Sequence, residues 1–359
     1  MAYNPINVFE YESLAKSRLP KDQYDFIAGG ATDEITLNRT RNMFDSIMLR
    51  PKVMTDVSSL NTETSVLGQT ISFPVMLAPS GAQGRAHPMA EIATAKAAGA
   101  LDTIMVLSAG STYPMETISE SNAGPMWFQQ YFYKDKGITI EMAHRAKEAG
   151  FTALCLTMDI KARSKRERDL RNRYVTPPSV NHQWDINQDR DASASWKDLE
   201  WLSSRTTLPL VVKGIMTAEE ARLCPDYGAQ GIVVSNHGAR QIDTTFSTIE
   251  VLPEVVDSVK DRIEVYLDGG IRRGSDIIKS LALGARAVLI GRPLFWGLAV
   301  SGEAGVTDIL NILRSEMEVT MALCGRRTLD DLDRTMLGLK SPLNSYILDH
   351  QSTNLSGVS

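Results

Sequence analysis

EVYLDGGIRRGSDIIKSLALGARAVLIGR, residues 264–292, contains the repeating unit of the chain. An apolar, β-rich run (264–270) ends in a glycine turn, and Ile277, Ile278, Leu281 and Ala282 then recur at helical spacing. LALG supplies a left-handed glycine cap, and a second apolar run, 287–292, follows. Near-continuous hydrophobicity in such short runs means that both faces of each strand are covered, as in a parallel sheet. Six earlier runs have the same character: 73–79 (FPVMLAP), 103–108 (TIMVLS), 126–132 (MWFQQYF), 152–159 (TALCLTMD), 209–214 (PLVVKG) and 231–236 (GIVVSN). Amphipathic stretches lie between them, such as Met142, Ala146, Ala149 and Leu252, Val255, Val256, Val259. Eight β-then-α units predict an α/β protein, a (β/α)8 TIM barrel. The rival, a doubly wound open sheet, usually has fewer strands and a Gly-rich turn after the first, which FPVMLAPSGAQG offers only weakly.

Outside the barrel the pattern predicts an N-terminal helical segment over 7–45 and a C-terminal helix over 306–323. Residues 160–195 form a long polar loop after strand 4, KARSKRERDLRNR followed by a Pro/Asn/Asp-rich run, and are expected to act as an active-site lid. Residues 1–359 are expected to form a single domain. Hydrophobic residues at 43% and charged residues at 23% fit a globular chain with a sizeable core. The 38 basic and 43 acidic side chains give a net charge of -5, so no global field favours nucleic acid. Cys155, Cys224 and Cys324 are too scattered for a metal cluster and odd in number, which points to a reducing, cytoplasmic setting without disulfides and without a metal. Nowhere do ~20 apolar residues run together, and charges stand where a signal peptide has its apolar core, so no membrane partner is expected.

Barrel active sites lie at the C-terminal ends of the strands. Those ends are polar throughout: Pro79 and Ser80, Ser108, Gln129 and Tyr131, Thr157 and Asp159, Lys213, Ser235, Asn236 and His237, Asp268, and Arg292. So many polar ends suggest a large polar ligand spanning the barrel mouth. LDGGIRRG and LIGRP, on the last two units, each join a glycine turn to an arginine, where barrels bind phosphate through backbone N–H groups, helix N-termini and a cation. SNHGARQID, 235–243, sets a titratable base, His237, three residues before Arg240, whose fork can hold a carboxylate.

With SNHGARQ stand YDFIAGGA, FQQYFYKD, LTMD, RERDLRNRY, VVKG, LDGGIRRG and IGRP. Together they resemble, in order, the FMN-dependent 2-hydroxy acid oxidase and dehydrogenase family, which includes glycolate oxidase, lactate oxidase and mandelate dehydrogenase. The resemblance implies that His237 takes the hydroxyl proton as the α-hydrogen passes to flavin N5, and that Asp159 stabilises the imidazolium. It implies that Arg166 and Arg240 grip the substrate carboxylate, and that Tyr24 and Tyr131 hydrogen-bond carboxylate and hydroxyl. For FMN it implies Lys213 beside N1 and the C2 carbonyl, with Ser235 close to it. Ser108, Gln129 and Thr157 would meet the ring edges, Pro79 and Ser80 would flank N5, and Asp268, Gly270, Arg272, Gly291 and Arg292 would hold ribityl and phosphate. A homotetramer or larger is also implied.

Singly, Asp159 also reads as a helix N-cap, Tyr24 as a core aromatic with a wet tip, and Arg166 as part of a solvated charge run. Two pocket positions depart from glycolate oxidase: Gly81 in APSGAQG, and Gly110 in SAGST, where that enzyme has tryptophan. They predict room for a bulky substrate, aryl or long aliphatic, unless Tyr113, Trp127 or a loop residue refills it. The acceptor can be O2 or another electron carrier, and no motif separates an oxidase from a dehydrogenase. The rival of another class is an inactive flavin-binding or interaction protein on the same scaffold.

Overall fold

A computed structural model of the chain describes residues 5–121, 124–175, 180–181 and 190–339. Eight parallel strands close into a barrel: β1 (Val75–Leu77), β2 (Met105–Ser108), β3 (Met126–Gln130), β4 (Ala153–Thr157), β5 (Leu210–Ile215), β6 (Gly231–Val234), β7 (Glu264–Asp268) and β8 (Ala287–Ile290). Each pairs with the next in sequence, and β8 returns to β1 with Val288 opposite Val75. All eight expected strands are present. Most are shorter than the apolar runs because the last residues of each run leave the ladder and become site loops.

Strand alternation decides what the interior holds. On β4, Ala153 and Cys155 join Trp127, Val211, Val233 and Tyr266 in the barrel interior, while Leu154 and Leu156 face the helices. Continuing that period of two, the next inward positions are Ser108, Gln129, Thr157, Lys213, Ser235 and Asp268. The polar ring predicted at the strand ends is therefore the top layer of the barrel's own filling. The floor is closed by a hairpin, Thr64–Val66 with Gln69–Ile71, whose Val66 and Ile71 belong to the same interior cluster.

The expected N-terminal helical segment comprises three helices, Val8–Arg18, Lys21–Ala28 and Ile35–Ser46. Asp243, on the loop after β6, accepts hydrogen bonds from the Thr32 hydroxyl and from the N–H groups of Asp33, Ile35 and Thr36, and so caps the third of them. Burial would raise the Asp243 carboxyl, but these backbone and hydroxyl bonds outweigh it and hold the group well below the usual range.

The helix expected over 306–323 is the second part of a longer one, Arg292–Leu323, broken at Ser301 and Gly302, where φ is -152° and 59°. The break separates the helix of the eighth βα unit from the C-terminal one. An antiparallel ladder of Ile47–Leu49 with Leu337–Leu339 is not foreseen by the sequence, since three-residue strands carry too few positions to show a period. In the expected lid, 160–195, a short helix spans Glu167–Arg171, and residues 176–179 and 182–189 lie outside the described residues. Among the described residues no helix is long and apolar enough to cross a membrane.

Candidate active site

A cavity of about 1260 Å3 opens where the strands end. It exceeds the usual small-molecule cleft of ~300–1,000 Å3, so a large ligand and a small one fit together. Of the residues expected at the site, all but Tyr24, Asp159 and Ser235 line it. Asp159 and Ser235 stand directly behind the wall, each bonded to a residue that does.

His237 Nδ1 lies 3.0 Å from Asp159 Oδ1. The loop that brings it there is left-handed at three successive residues, with φ of 57° at His237, 64° at Gly238 and 59° at Ala239. The two non-glycine residues cost ~1–3 kcal/mol each in that region. Three bonds hold them: His237 N–H to Ser235 Oγ at 3.1 Å, Ala239 N–H to Asn236 Oδ1 at 2.9 Å, and Ala31 N–H to the Ala239 carbonyl at 2.9 Å. Gly214, in VVKG, makes room for the partner, since a Cβ there would sit 2.7 Å from Asp159 Cβ. Burial pushes the imidazole below its ordinary value despite Asp159. Burial alone would raise the Asp159 carboxyl, but His237 and Lys213 outweigh it and hold it low. The resting pair is thus a neutral imidazole against a carboxylate, with Nε2 left to accept a proton.

Lys213 donates to Ser235 Oγ at 2.8 Å and pairs with Asp268 Oδ2 at 3.2 Å. Burial opposes its charge, but Asp268 and Asp159 outweigh burial and keep it an ammonium. Ser108 donates to Gln129 Oε1 at 3.1 Å. Gln129 Nε2 and Asp268 Oδ1 are buried without a hydrogen-bond partner among the described residues. Buried polar atoms require partners, and here a donor and an acceptor face the same cavity. Flavin mononucleotide fits them: the ring edge alternates N–H and carbonyl, the ribityl chain has hydroxyls to donate, and Lys213 offers a cation.

Two half-buried arginines, Arg272 and Arg292, stand beyond the ends of the last two strands. Arg292 donates through Nε to the Ile27 carbonyl and through Nη2 to those of Gly29 and Gly238, each at 2.9 Å. Burial and neighbouring Arg272 push it down to about 10, and burial lowers Arg272 also, so an anion between them would relieve both. The helix N-termini are not equivalent. The one after β7 is already satisfied, because Asp276 accepts from the N–H groups of Arg272 and Arg273, and Glu316 accepts from that of Gly274. The helix opening at Arg292 has no side-chain cap and remains open to an anion. Gly270 answers a packing need: a Cβ there would meet Phe44 and Thr40 of the third N-terminal helix at 2.7 Å.

Tyr24 is a correction. Its ring stacks on Trp296 at 5.4 Å and its hydroxyl lies 3.5 Å from Glu12, outside the cavity. The residues of YDFIAGG that line the cavity are Phe26 and Ile27. Residues two apart on a helix point to opposite sides, so Lys21–Ala28 cannot present both rings inward. Tyr24→Phe is accordingly expected to leave the rate of flavin reduction within about twofold of the parent; a drop of tenfold or more in rapid mixing would return the hydroxyl to the chemistry.

Arg240 donates to the carbonyls of Phe26 at 2.5 Å and Gly29 at 3.0 Å, and Arg166 pairs with Asp169 at 3.1 Å. Burial, then Arg166 and Arg292, push the Arg240 guanidinium well down, so an anion beside it would favour its charge. Tyr131 lines the cavity with Arg190 5.0 Å from its ring. Besides Phe26, sequence reasoning missed Arg85 and Tyr174, both in the cavity wall. Arg85 sits in the loop after β1, and the one available signal was a lone cation in an otherwise small and neutral strand-end loop, GAQGRA.

A family model described as FMN-dependent dehydrogenase matches residues 15–339. The chain is 47% identical over 348 residues to glycolate oxidase 3 of Arabidopsis thaliana, covering 92% of this chain and 95% of that one. It is 46% identical over 361 residues to an L-lactate oxidase of Nostoc sp., covering 94% and 99%. Among solved structures, a soluble mutant of the membrane-associated (S)-mandelate dehydrogenase from Pseudomonas putida superposes with a TM-score of 0.90 at 37% identity, covering 94% of this chain and all of that one.

Proposed function

Because this chain belongs to the FMN-dependent dehydrogenase family, whose 2-hydroxy acid oxidases and dehydrogenases are its relatives, we propose that it oxidises an (S)-2-hydroxy acid larger than lactate to the 2-oxo acid, with O2 as the acceptor. The observation that carries this is the His237–Asp159 pair beside Arg240 and Arg166 in one cavity. FMN, when bound, supplies the acceptor for the hydride leaving the α-carbon. The chain does the rest. Arg240 and Arg166 hold the carboxylate, which fixes the hydroxyl toward His237. Nε2 of His237 takes the hydroxyl proton, and Asp159 stabilises the imidazolium that results. Lys213, held as an ammonium by Asp268 and Asp159, would be the cation beside the bound cofactor.

Substrate size turns on the loops of Gly81 and Gly110. Both line the cavity, but a Cβ on Gly81 would stand 3.0 Å from the Gly110 carbonyl and 3.3 Å from Ser108 Oγ, so Gly81 serves the close approach of the two loops and the room for a larger side chain rests on Gly110. Tyr113 and Trp127 do not line the cavity and leave the space open, whereas Tyr174 of the loop does line it, stacked on Phe26. Mixing the flavoprotein anaerobically with glycolate, lactate, mandelate and 2-hydroxyoctanoate tests the reading. The larger acids should reduce the flavin with the higher kcat/KM, and Gly110→Trp should cut kcat/KM for mandelate by about tenfold or more, the scale of a few lost or clashing methylene-sized contacts. A parent that prefers glycolate, or a tryptophan variant that handles mandelate equally well, would count against it. The same reading takes residues 1–359 as one FMN-binding unit with 160–195 as its insertion over the site. It takes the assembly as a homotetramer or larger, which sedimentation would measure, and the setting as a reducing cytoplasm, which suits three buried free cysteines.

A further inference from the structure

Three guanidinium groups gather around the ring of Phe26: Arg85 at 3.9 Å from its centroid, Arg240 at 4.7 Å and Arg166 at 5.2 Å. One carboxylate pairs with the cluster, Asp169 on Arg166. A substrate carboxylate held by Arg166 and Arg240 answers a second charge. Arg85 is then left over.

Its setting is built. Nε donates to the Ala82 carbonyl at 2.8 Å, and Nη1 donates to the hydroxyl of Tyr174. Tyr174 stacks on Phe26 with centroids 4.4 Å apart, so the guanidinium is clamped between a carbonyl and two aromatic faces. Both of those acceptors are neutral. Glu91, the nearby buried acid, accepts from the Gln83 N–H at 2.8 Å, and among the described residues no ion pair holds Arg85. Burial accordingly pushes the Arg85 guanidinium down. Asp169 and Glu91 favour its charge from a distance without outweighing burial, and a cation partly out of water with no paired carboxylate costs free energy that a leucine or methionine of similar reach would not. The cost is recovered when an anion enters, and the side chain lines the cavity where one can.

Position says which anion. Arg85 is four residues beyond Gly81 on the same loop and lines the same cavity as Gly110. Resting on the hydroxy-acid reading above, we propose that Arg85, steadied by Tyr174 and Phe26, is a second oxyanion subsite, and that the preferred substrate is a 2-hydroxy acid bearing a further carboxylate or phosphonate-type group at its far end. The cavity, about 1260 Å3, then has room for the linker to that group. A fork of N–H donors suits either oxyanion.

The test compares kcat/KM for (S)-2-hydroxyglutarate, 2-hydroxy-4-phosphonobutanoate and (S)-2-hydroxyhexanoate in the parent, Arg85→Met and Arg85→Lys. The parent should favour at least one doubly charged acid over 2-hydroxyhexanoate by about tenfold or more, and the faster of the two names the group. Arg85→Met should lower that ratio by ~10–100-fold, the span of a hydrogen bond to a charged group, and Arg85→Lys should restore part of it. A parent preferring 2-hydroxyhexanoate overturns the subsite whether or not the variants fold, as does a methionine variant with the parent's ratio. If none of these acids and none of the four above reduces the flavin, the hydroxy-acid reading itself fails, a result distinct from a flavin reduced without regard to charge.

Discussion

In the His237→Ala variant, anaerobic reduction of the flavin by a 2-hydroxy acid is expected to slow by ~10² or more while FMN stays bound. The imidazole lines the cavity and has its second nitrogen fixed on Asp159 at 3.0 Å, so the proton-accepting nitrogen is oriented before substrate arrives. The contacts that fit phosphate and flavin, Arg272, Arg292 and Lys213, are untouched by the change. His237→Asn is the companion variant, because asparagine tolerates the left-handed φ of 57° and keeps the loop if alanine does not. The pH profile supplies an independent sign. A base works when unprotonated, and burial lowers His237 from its ordinary value of ~6.5. The acid limb of kcat/KM should therefore lie below pH ~6.5, with no further gain from His237 above it. Near-normal reduction in both variants, or an acid limb above neutrality, would remove His237 from the reaction.

Arg240→Lys should lower kcat/KM by ~10–100-fold, mostly through KM. The native guanidinium uses one nitrogen on the Phe26 and Gly29 carbonyls and lies over the Phe26 ring, 4.7 Å from its centroid, which leaves its other nitrogens for the substrate. An ammonium cannot serve both sides with parallel donors, and each hydrogen bond to a charged group is worth ~1.5–3 kcal/mol. Lysine is also the weaker holder of charge. The same burial and the same neighbours, Arg166 and Arg292, that depress Arg240 would drive an amine toward its neutral form. A lysine variant within threefold of the parent would show that Arg240 does not hold the carboxylate.

The barrel was legible because its signal repeats: eight short apolar runs, each followed by a helical stripe, leave few other architectures. The polar ring was legible for the same reason, since strand period carries Thr157, Lys213 and Asp268 inward once Cys155, Val211 and Tyr266 are inside. What failed lies on helices and irregular loops. Tyr24 and Phe26 differ by half a turn of helix, and only the packing of Trp296 against Tyr24 fixes which one turns inward. Arg85 depends on a single 3-10 turn, Gln83–Arg85, too short to carry any period. The helix after β7 looked free to bind phosphate until Glu316, forty-two residues away in sequence, appeared at its first N–H.

The arginine that ties the N-terminal helical segment to the last strand end sets a timetable for the newborn chain. Arg292 donates to the carbonyls of Ile27 and Gly29, and β8 must find β1, so contacts between the beginning and the end of the barrel span more than two hundred residues. At ~5–20 residues per second of synthesis, the N-terminal helices wait ~10–50 s outside the ribosome before their acceptors are met. During that interval the unclosed strands β1 to β7 present two bare edges and an apolar face, the situation that chaperones guard. Loading of the cofactor has to come after this closure, because the wall that would meet its phosphate is the last part of the barrel to be made.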